Sequence, residues 1–210
     1  MATMSMNKVI HRAFRRDLDR FVDALGRFRA GDRERAKGLG LAWDNFEDQL
    51  IHHHTGEHEI AWPALEQMGV SRELLDEMDA EHDVMAAALG EALTTMTRFR
   101  TSASAEDAAA AKVAFEHLRT VTVSHLDHEE AEVEPVYLAN RDHPAAKEMG
   151  KKFAKVSPAR GGRFFAWLLD GATPEEKEAG TGDVPAPVLT VISGVFGRGY
   201  RKNVAPVWRS

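Results

Sequence analysis

The chain has 210 residues, 43% of them hydrophobic and 29% charged, with 27 Lys+Arg against 33 Asp+Glu for a formal net charge of -6, and it has no cysteine. This balance belongs to a globular chain with room for a real core; it excludes disordered, collagen-like and disulfide-built classes, thiol catalysis and thiolate metal sites. No stretch approaches the roughly 18 apolar residues of a membrane span, and the first 17 residues lack the apolar run of a signal peptide, so a cytoplasmic protein without a membrane span is expected.

From Met6 onward, apolar residues recur at spacings of three and four, the seam of a packed helix. The first helix reads His11, Phe14, Leu18, Phe21, Leu25, Phe28 and stops at Ala30-Gly31-Asp32. A second reads Leu39, Trp43, Phe46, Leu50, His53, Glu57, Ile60, up to Met68-Gly69-Val70-Ser71. The third reads Leu75, Met78, His82, Met85, Leu89, Ala92, Met96, Phe99, ending at Thr101-Ser102-Ala103-Ser104, and the fourth reads Ala111, Phe115, Leu118, Thr122, His125, Glu129, Glu132, Val136. The connecting segments carry turn and helix-cap chemistry, and short connections make successive helices antiparallel. The predicted fold is therefore all-α, an up-down-up-down four-helix bundle.

Charge changes near Asn140. Residues 1–140 hold 15 basic and 26 acidic side chains, net -11, whereas 141–210 hold 12 and 7, net +5. We divide the chain there, into a bundle over 1–140 and a basic helical extension over 141–210 that packs on it. Within the extension, Ala145–Lys155 and Arg163–Leu169 have helical patterns, Pro174–Glu178 has a helix start, and Val184–Val195 is apolar between prolines and glycines. Its positive charges alternate with Phe164, Phe165 and Trp167 rather than forming a continuous basic stripe, so no nucleic-acid partner is expected. A lid, a homodimer surface and a lipid-surface contact are the roles open to it.

The bundle seams contain six residues where the pattern calls for Leu or Phe: His11, His53, Glu57, His82, His125 and Glu129. An unpaired buried polar group costs roughly 1 to 3 kcal/mol, so six of them need a common partner, and a cation is the obvious one. His11 and His53 lie symmetrically about Asp32, His82 and His125 about the Ser-Ala-Ser turn, and Glu57 and His82 about Gly69-Val70, which puts all six in one layer. The arrangement repeats: His53, Glu57 and Pro63 return 72 residues later as His125, Glu129 and Pro135, and His11 returns 71 later as His82. Two such halves predict two metals bridged by carboxylates, and imidazole with carboxylate suits iron, manganese or zinc. His52, His54 and His58 fall off the seam and read as a solvated surface, with His54 or His58 in reserve as a further ligand. His128 reads as a hydrogen-bond partner around the site, Asp79 and Glu81 as solvated, and Met78, Met85 and Met96 as packing.

His11, His53-x-x-x-Glu57, His82 and His125-x-x-x-Glu129, with Pro63 and Pro135 each six residues after a Glu, resemble the hemerythrin-like HHE cation-binding proteins over about residues 5 to 140. The resemblance implies two iron ions in a non-haem, oxo- or hydroxo-bridged di-iron centre that binds or reduces oxygen, peroxide or nitric oxide. Oxygen-sensing or iron-sensing without turnover, and a zinc-binding structural bundle, are the competing readings. In the oxygen carriers the third helix usually offers a His-x-x-x-His pair, whereas Ala86 follows His82 here, and the fourth-helix carboxylate is Glu129 rather than Asp.

Overall fold

The structure is a computed structural model and describes residues 4–182 and 184–209. Among these every regular element is helical. Four long helices dominate: α1 (Met6–Gly26), α2 (Arg33–Gly56), α4 (Arg72–Ser102) and α5 (Ala105–Glu132), with α3 (Trp62–Gln67) between the second and third of them. Each long helix starts on a residue chosen for the task. The side chains of Ser5, Asp32, Ser71 and Ser104 accept the backbone N–H three residues on, satisfying a donor that the helix geometry leaves open.

Contacts between neighbours run in opposite senses along the chain. Ser5 reaches Glu134, Arg15 reaches Asp127 and Arg119 reaches Asp19, so α1 and α5 are antiparallel. His82 with His125 and His117 with Glu91 set α4 antiparallel to α5, while Arg100 with Asp44 and His82 with Glu57 do the same for α4 and α2. The Phe14 and Phe46 rings, 5.8 Å apart, close α2 on α1. At one end, Ala103 adopts a left-handed conformation (φ 52°) and its carbonyl accepts the Gly31 N–H at 2.8 Å, tying the α1–α2 turn to the α4–α5 turn. Between the helices lies an aromatic core in which Phe21 touches Trp43, Phe46 and Phe115.

From Glu134 on, the helices are short: α6 (Glu134–Ala139) leads to α7 (Pro144–Phe153), α8 (Pro158–Leu168), α9 (Pro174–Thr181), α10 (Ala186–Val191) with a π turn at Ile192–Phe196, α11 (Arg198–Asn203) and a final 3-10 turn at Ala205–Arg209. Trp167, Leu168, Tyr200 and Val207 are buried in the same apolar cluster as Phe14, Leu18 and Phe21 of α1. Trp167 is 0% exposed, and its indole N–H donates to the buried Asp17 carboxylate at 2.7 Å. Two aromatics of the extension stay exposed, Phe153 at 42% and Phe196 at 43%.

Tyr200 belongs to the same polar seam. Its hydroxyl donates to Asp170 at 3.1 Å, and burial, reinforced by Asp17 and Asp170, holds its proton well above the usual phenol range. A folded-state pKa above the unfolded value of about 10 means that Tyr200 contributes its full stability below that pH and loses it as pH rises further. Tyr200→Phe is expected to lose about 1 kcal/mol at pH 7 with the hydrogen bond and to show a shallower decline of urea midpoint above pH 10 than the parent protein. An equally steep decline would place the alkaline sensitivity elsewhere.

Candidate metal centre

The six seam residues meet at mid-bundle, together with one that the spacing did not select. His11 from α1 and His53 from α2 have ring centroids 5.4 Å apart, and His82 from α4 and His125 from α5 lie 4.6 Å apart. His54 joins them: its ring stacks on His82 at 4.2 Å and stands 5.7 Å from His125. The expectation of a solvated His54 is thus corrected. Because α2 contacts α1 on one flank and α4 on the other, its buried arc is wider than a single seam, and two consecutive residues about 100° apart both point inward. His53 takes the α1 side and His54 the α4 side, with Glu57 one turn below and between them.

Donor atoms fall into two groups: His11, His53, Glu57 and Glu129, and His54, Glu57, His82 and His125. Within each group one nitrogen or oxygen per residue lies within 4.8 Å of all the others. Glu57 belongs to both, with one oxygen 3.0 Å from His53 Nε2 and the other 3.4 Å from His82 Nε2. Glu129 faces the first group alone, through Oε2 at 3.0 Å from His11 Nε2, because its Oε1 accepts the Asn7 amide at 2.9 Å. The expected symmetry of two bridging carboxylates therefore gives way to one carboxylate shared and one capped.

The donor chemistry fits a cation on an observation independent of the motif. Nε2 of His11, His53 and His54, both oxygens of Glu57 and Oε2 of Glu129 are buried and make no well-aligned hydrogen bond; the close neighbours of His11, His53, Glu57 and Glu129 there are one another or His82. Buried polar atoms are ordinarily paired, and each orphan costs roughly 1 to 3 kcal/mol. Six such atoms converging on two points form the arrangement that a pair of cations would satisfy. Electrostatics agree. Burial first, and then the Glu129 charge, pushes the Glu57 carboxyl well above its ordinary range. Burial and the neighbouring imidazoles push His53 and His54 well below theirs, and His82 down to about 4. His11 and Glu129 instead compensate each other: burial opposes both charges but is outweighed, leaving His11 raised to about 9 and Glu129 lowered to about 2.

Ring orientation is set from outside the cluster. His11 Nδ1 meets Glu130 at 3.0 Å, and His125 Nδ1 meets Glu81 at 2.8 Å; these carboxylates favour the neutral tautomer that donates outward, which is the one that leaves an Nε2 lone pair for a cation. Glu81 uses its other oxygen on His128 Nδ1, also at 2.8 Å, which makes Glu81 a structural partner rather than a solvated charge. Asp79 accepts the Trp62 indole N–H at 2.8 Å and holds the exposed His58 at 3.0 Å. Glu130 and Asn7 carried no signal in the spacing; the only pointer to Glu130 was its place beside Glu129.

A local distortion seats these groups. From Glu57 to Ala61 the chain makes a π turn, in which the Trp62 N–H reaches back to the Glu57 carbonyl. Pro63 supplies the cause: its ring has no N–H and would collide with the carbonyl four residues back, so the helix widens immediately after Glu57. Pro135 ends α5 in the same way, six residues after Glu129.

All seven converging residues lie within residues 6–137, the stretch matched by the hemerythrin HHE cation-binding domain family. The chain belongs to that family. No curated protein and no solved structure matches it. The HHE domain supplies both groups of donors, and α7 to the final 3-10 turn lie beyond the matched residues. No helix among the described residues is long and apolar enough to cross a membrane.

Proposed function

We propose that this HHE protein is an up-down-up-down four-helix bundle over residues 1–140 with a basic extension, and that it holds two iron ions reacting with a small oxidant: oxygen, peroxide or nitric oxide. The observation that carries this reading is the pair of donor groups sharing Glu57, whose facing atoms have no other partner. His11, His53, Glu57 and Glu129 are the ligands of one ion; His54, His82, His125 and the second oxygen of Glu57 are those of the other. With His54 the donor set reaches five imidazoles, so the position left empty by Ala86 is served from α2 instead. An iron pair would supply reversible electron transfer to a small ligand.

The chain's own residues explain why such a ligand is confined. Glu130 and Glu81 keep the His11 and His125 rings from rotating away. The Trp62 ring stacks on His82 at 5.9 Å and shields the α4 side from water.

Elemental analysis of protein purified without a metal-affinity tag, with absorption spectra before and after peroxide, tests the reading. About two irons per chain and a peroxide-sensitive visible spectrum are expected; a single tightly held zinc would refute it. His54→Ala separates the two ions. Loss of one imidazole from one group should lower the iron content to about one per chain, whereas unchanged content would return His54 to a packing role.

A further inference from the structure

Residues 149–169 and 184–209 contain nine Lys and Arg and not one Asp or Glu, in a chain that has 33 acidic residues. The same two stretches carry six of the eleven large hydrophobic side chains exposed among the described residues: Phe153, Val156, Val188, Val191, Val195 and Phe196. They are neighbours in space as well as alike in composition. Gly161 of α8 lies between them, where an added Cβ would stand 3.7 Å from Val156 and 3.6 Å from Ile192. At Gly162 the approach is closer still, 2.4 Å from the hypothetical Cβ to Phe196 Cβ, so the two glycines let the 186–196 helix lie flush on α8.

Seated this way, Leu189 and Ile192 turn inward and are half-buried, while Val188, Val191 and Val195, at helical spacing, face out at 45%, 60% and 58% exposure. Arg198 and Lys202, one turn apart on the helix that follows, are both exposed. Next to Val156 in the chain, which packs at Gly161 from the other side, come the exposed Lys152 and Lys155. None of these four cations forms an ion pair among the described residues, although the extension's Arg160 and Arg163 do, with Asp48.

An apolar ridge bordered by unpaired cations, on two stretches of chain that contribute no acidic residue, is complementary to one kind of surface. We propose that this face docks on an anionic phospholipid bilayer, with Val188, Val191 and Val195 entering the headgroup region and Lys152, Lys155, Arg198 and Lys202 lying against the phosphates. Such a contact needs no spanning helix. A second copy of the chain is a poorer partner, because a twofold interface would bring the same cations face to face. Nucleic acid is a poorer partner as well, because bases would stack on aromatic rings and the outward ridge itself is Val188, Val191 and Val195, with exposed rings only at Phe153 and Phe196 beside it. The proposal is independent of which metal the bundle holds.

Full-length, metal-loaded protein sedimented with vesicles provides the test. Binding is expected to phosphatidylcholine vesicles containing roughly a third phosphatidylserine, and to weaken as salt screens the charges. Lys152→Glu with Lys202→Glu should weaken it by well over tenfold, since each cation near an anionic surface is worth about fivefold. Val191→Asn with Val195→Asn should also weaken it, at unchanged charge. Because these side chains are exposed, the variants should melt with the parent, and their metal content should not change. Absence of binding, equal binding to pure phosphatidylcholine, or full binding by both variants would overturn the proposal. So would binding of duplex DNA in place of vesicles, or a dimer that the valine substitutions dissociate, each of which would give the face a different partner.

Discussion

Replacing Glu57 by Ala should empty both metal positions, while replacing Glu129 by Ala should empty about one. The asymmetry follows from the geometry: Glu57 turns one oxygen to each donor group, but Glu129 gives a single oxygen because Asn7 holds the other. Elemental analysis of the two variants beside the parent would read it directly, and equal losses would show that Glu129 is shared as well. Stability should separate in an unusual direction. In the metal-free protein Glu57 is a buried carboxyl without a hydrogen-bond partner, so its removal relieves a desolvation cost of about 1 to 3 kcal/mol. Metal-free Glu57→Ala is therefore expected to melt no lower than the metal-free parent. In saturating metal the order should reverse, because a ligand present at a hundred times its dissociation constant stabilises by about 2.7 kcal/mol per site, and the variant forgoes that at two sites. A variant that melts lower in both conditions would mark Glu57 as a packing residue.

The bundle was legible because its information is local. Apolar spacing picks out α1, α2, α4 and α5, and Ser5, Asp32, Ser71 and Ser104 mark their starts by chemistry that operates within three residues. Seam polarity likewise picked out six of the seven residues that converge in space, since a His or Glu in an apolar row is conspicuous. What spacing does not encode is how many neighbours a helix has. His54 lies off the row of Leu50, His53 and Glu57, and it turns inward only because α4 covers a second flank of α2. Glu130, Glu81 and Asn7 were hidden for a related reason: they face the centre from its rim, where a polar residue is unremarkable in sequence. In the extension the helices are short and interrupted by Pro144, Pro158, Pro174 and Pro187, so periodicity has little length in which to show itself, and the inward turn of Trp167 is a property of tertiary packing.

That inward turn gives the second large effect. Trp167 is fully buried, with its ring 5.0 Å from Phe14, whose own ring lies 5.3 Å from His53. Truncation to Ala removes a large apolar side chain from a closed core and should cost about 3 to 5 kcal/mol, lowering the melting temperature of a chain of this size by roughly 10 °C. Trp167→Phe isolates the polar part of the contact: it keeps most of the ring and gives up only the indole N–H to Asp17, for about 1 to 2 kcal/mol. Asp17 retains Arg16 at 2.8 Å and Arg20 at 3.2 Å, so the loss should not grow into that of an unpaired buried charge. Because Phe14 connects Trp167 to His53, the Ala variant should also loosen the α1 side of the metal centre and release its metal faster to a chelator, while the Phe variant should not. If Trp167→Ala melts within about 1 kcal/mol of the parent and releases metal at an unchanged rate, the extension rests on the bundle without supporting it, and the stability of the centre is the work of the four long helices alone.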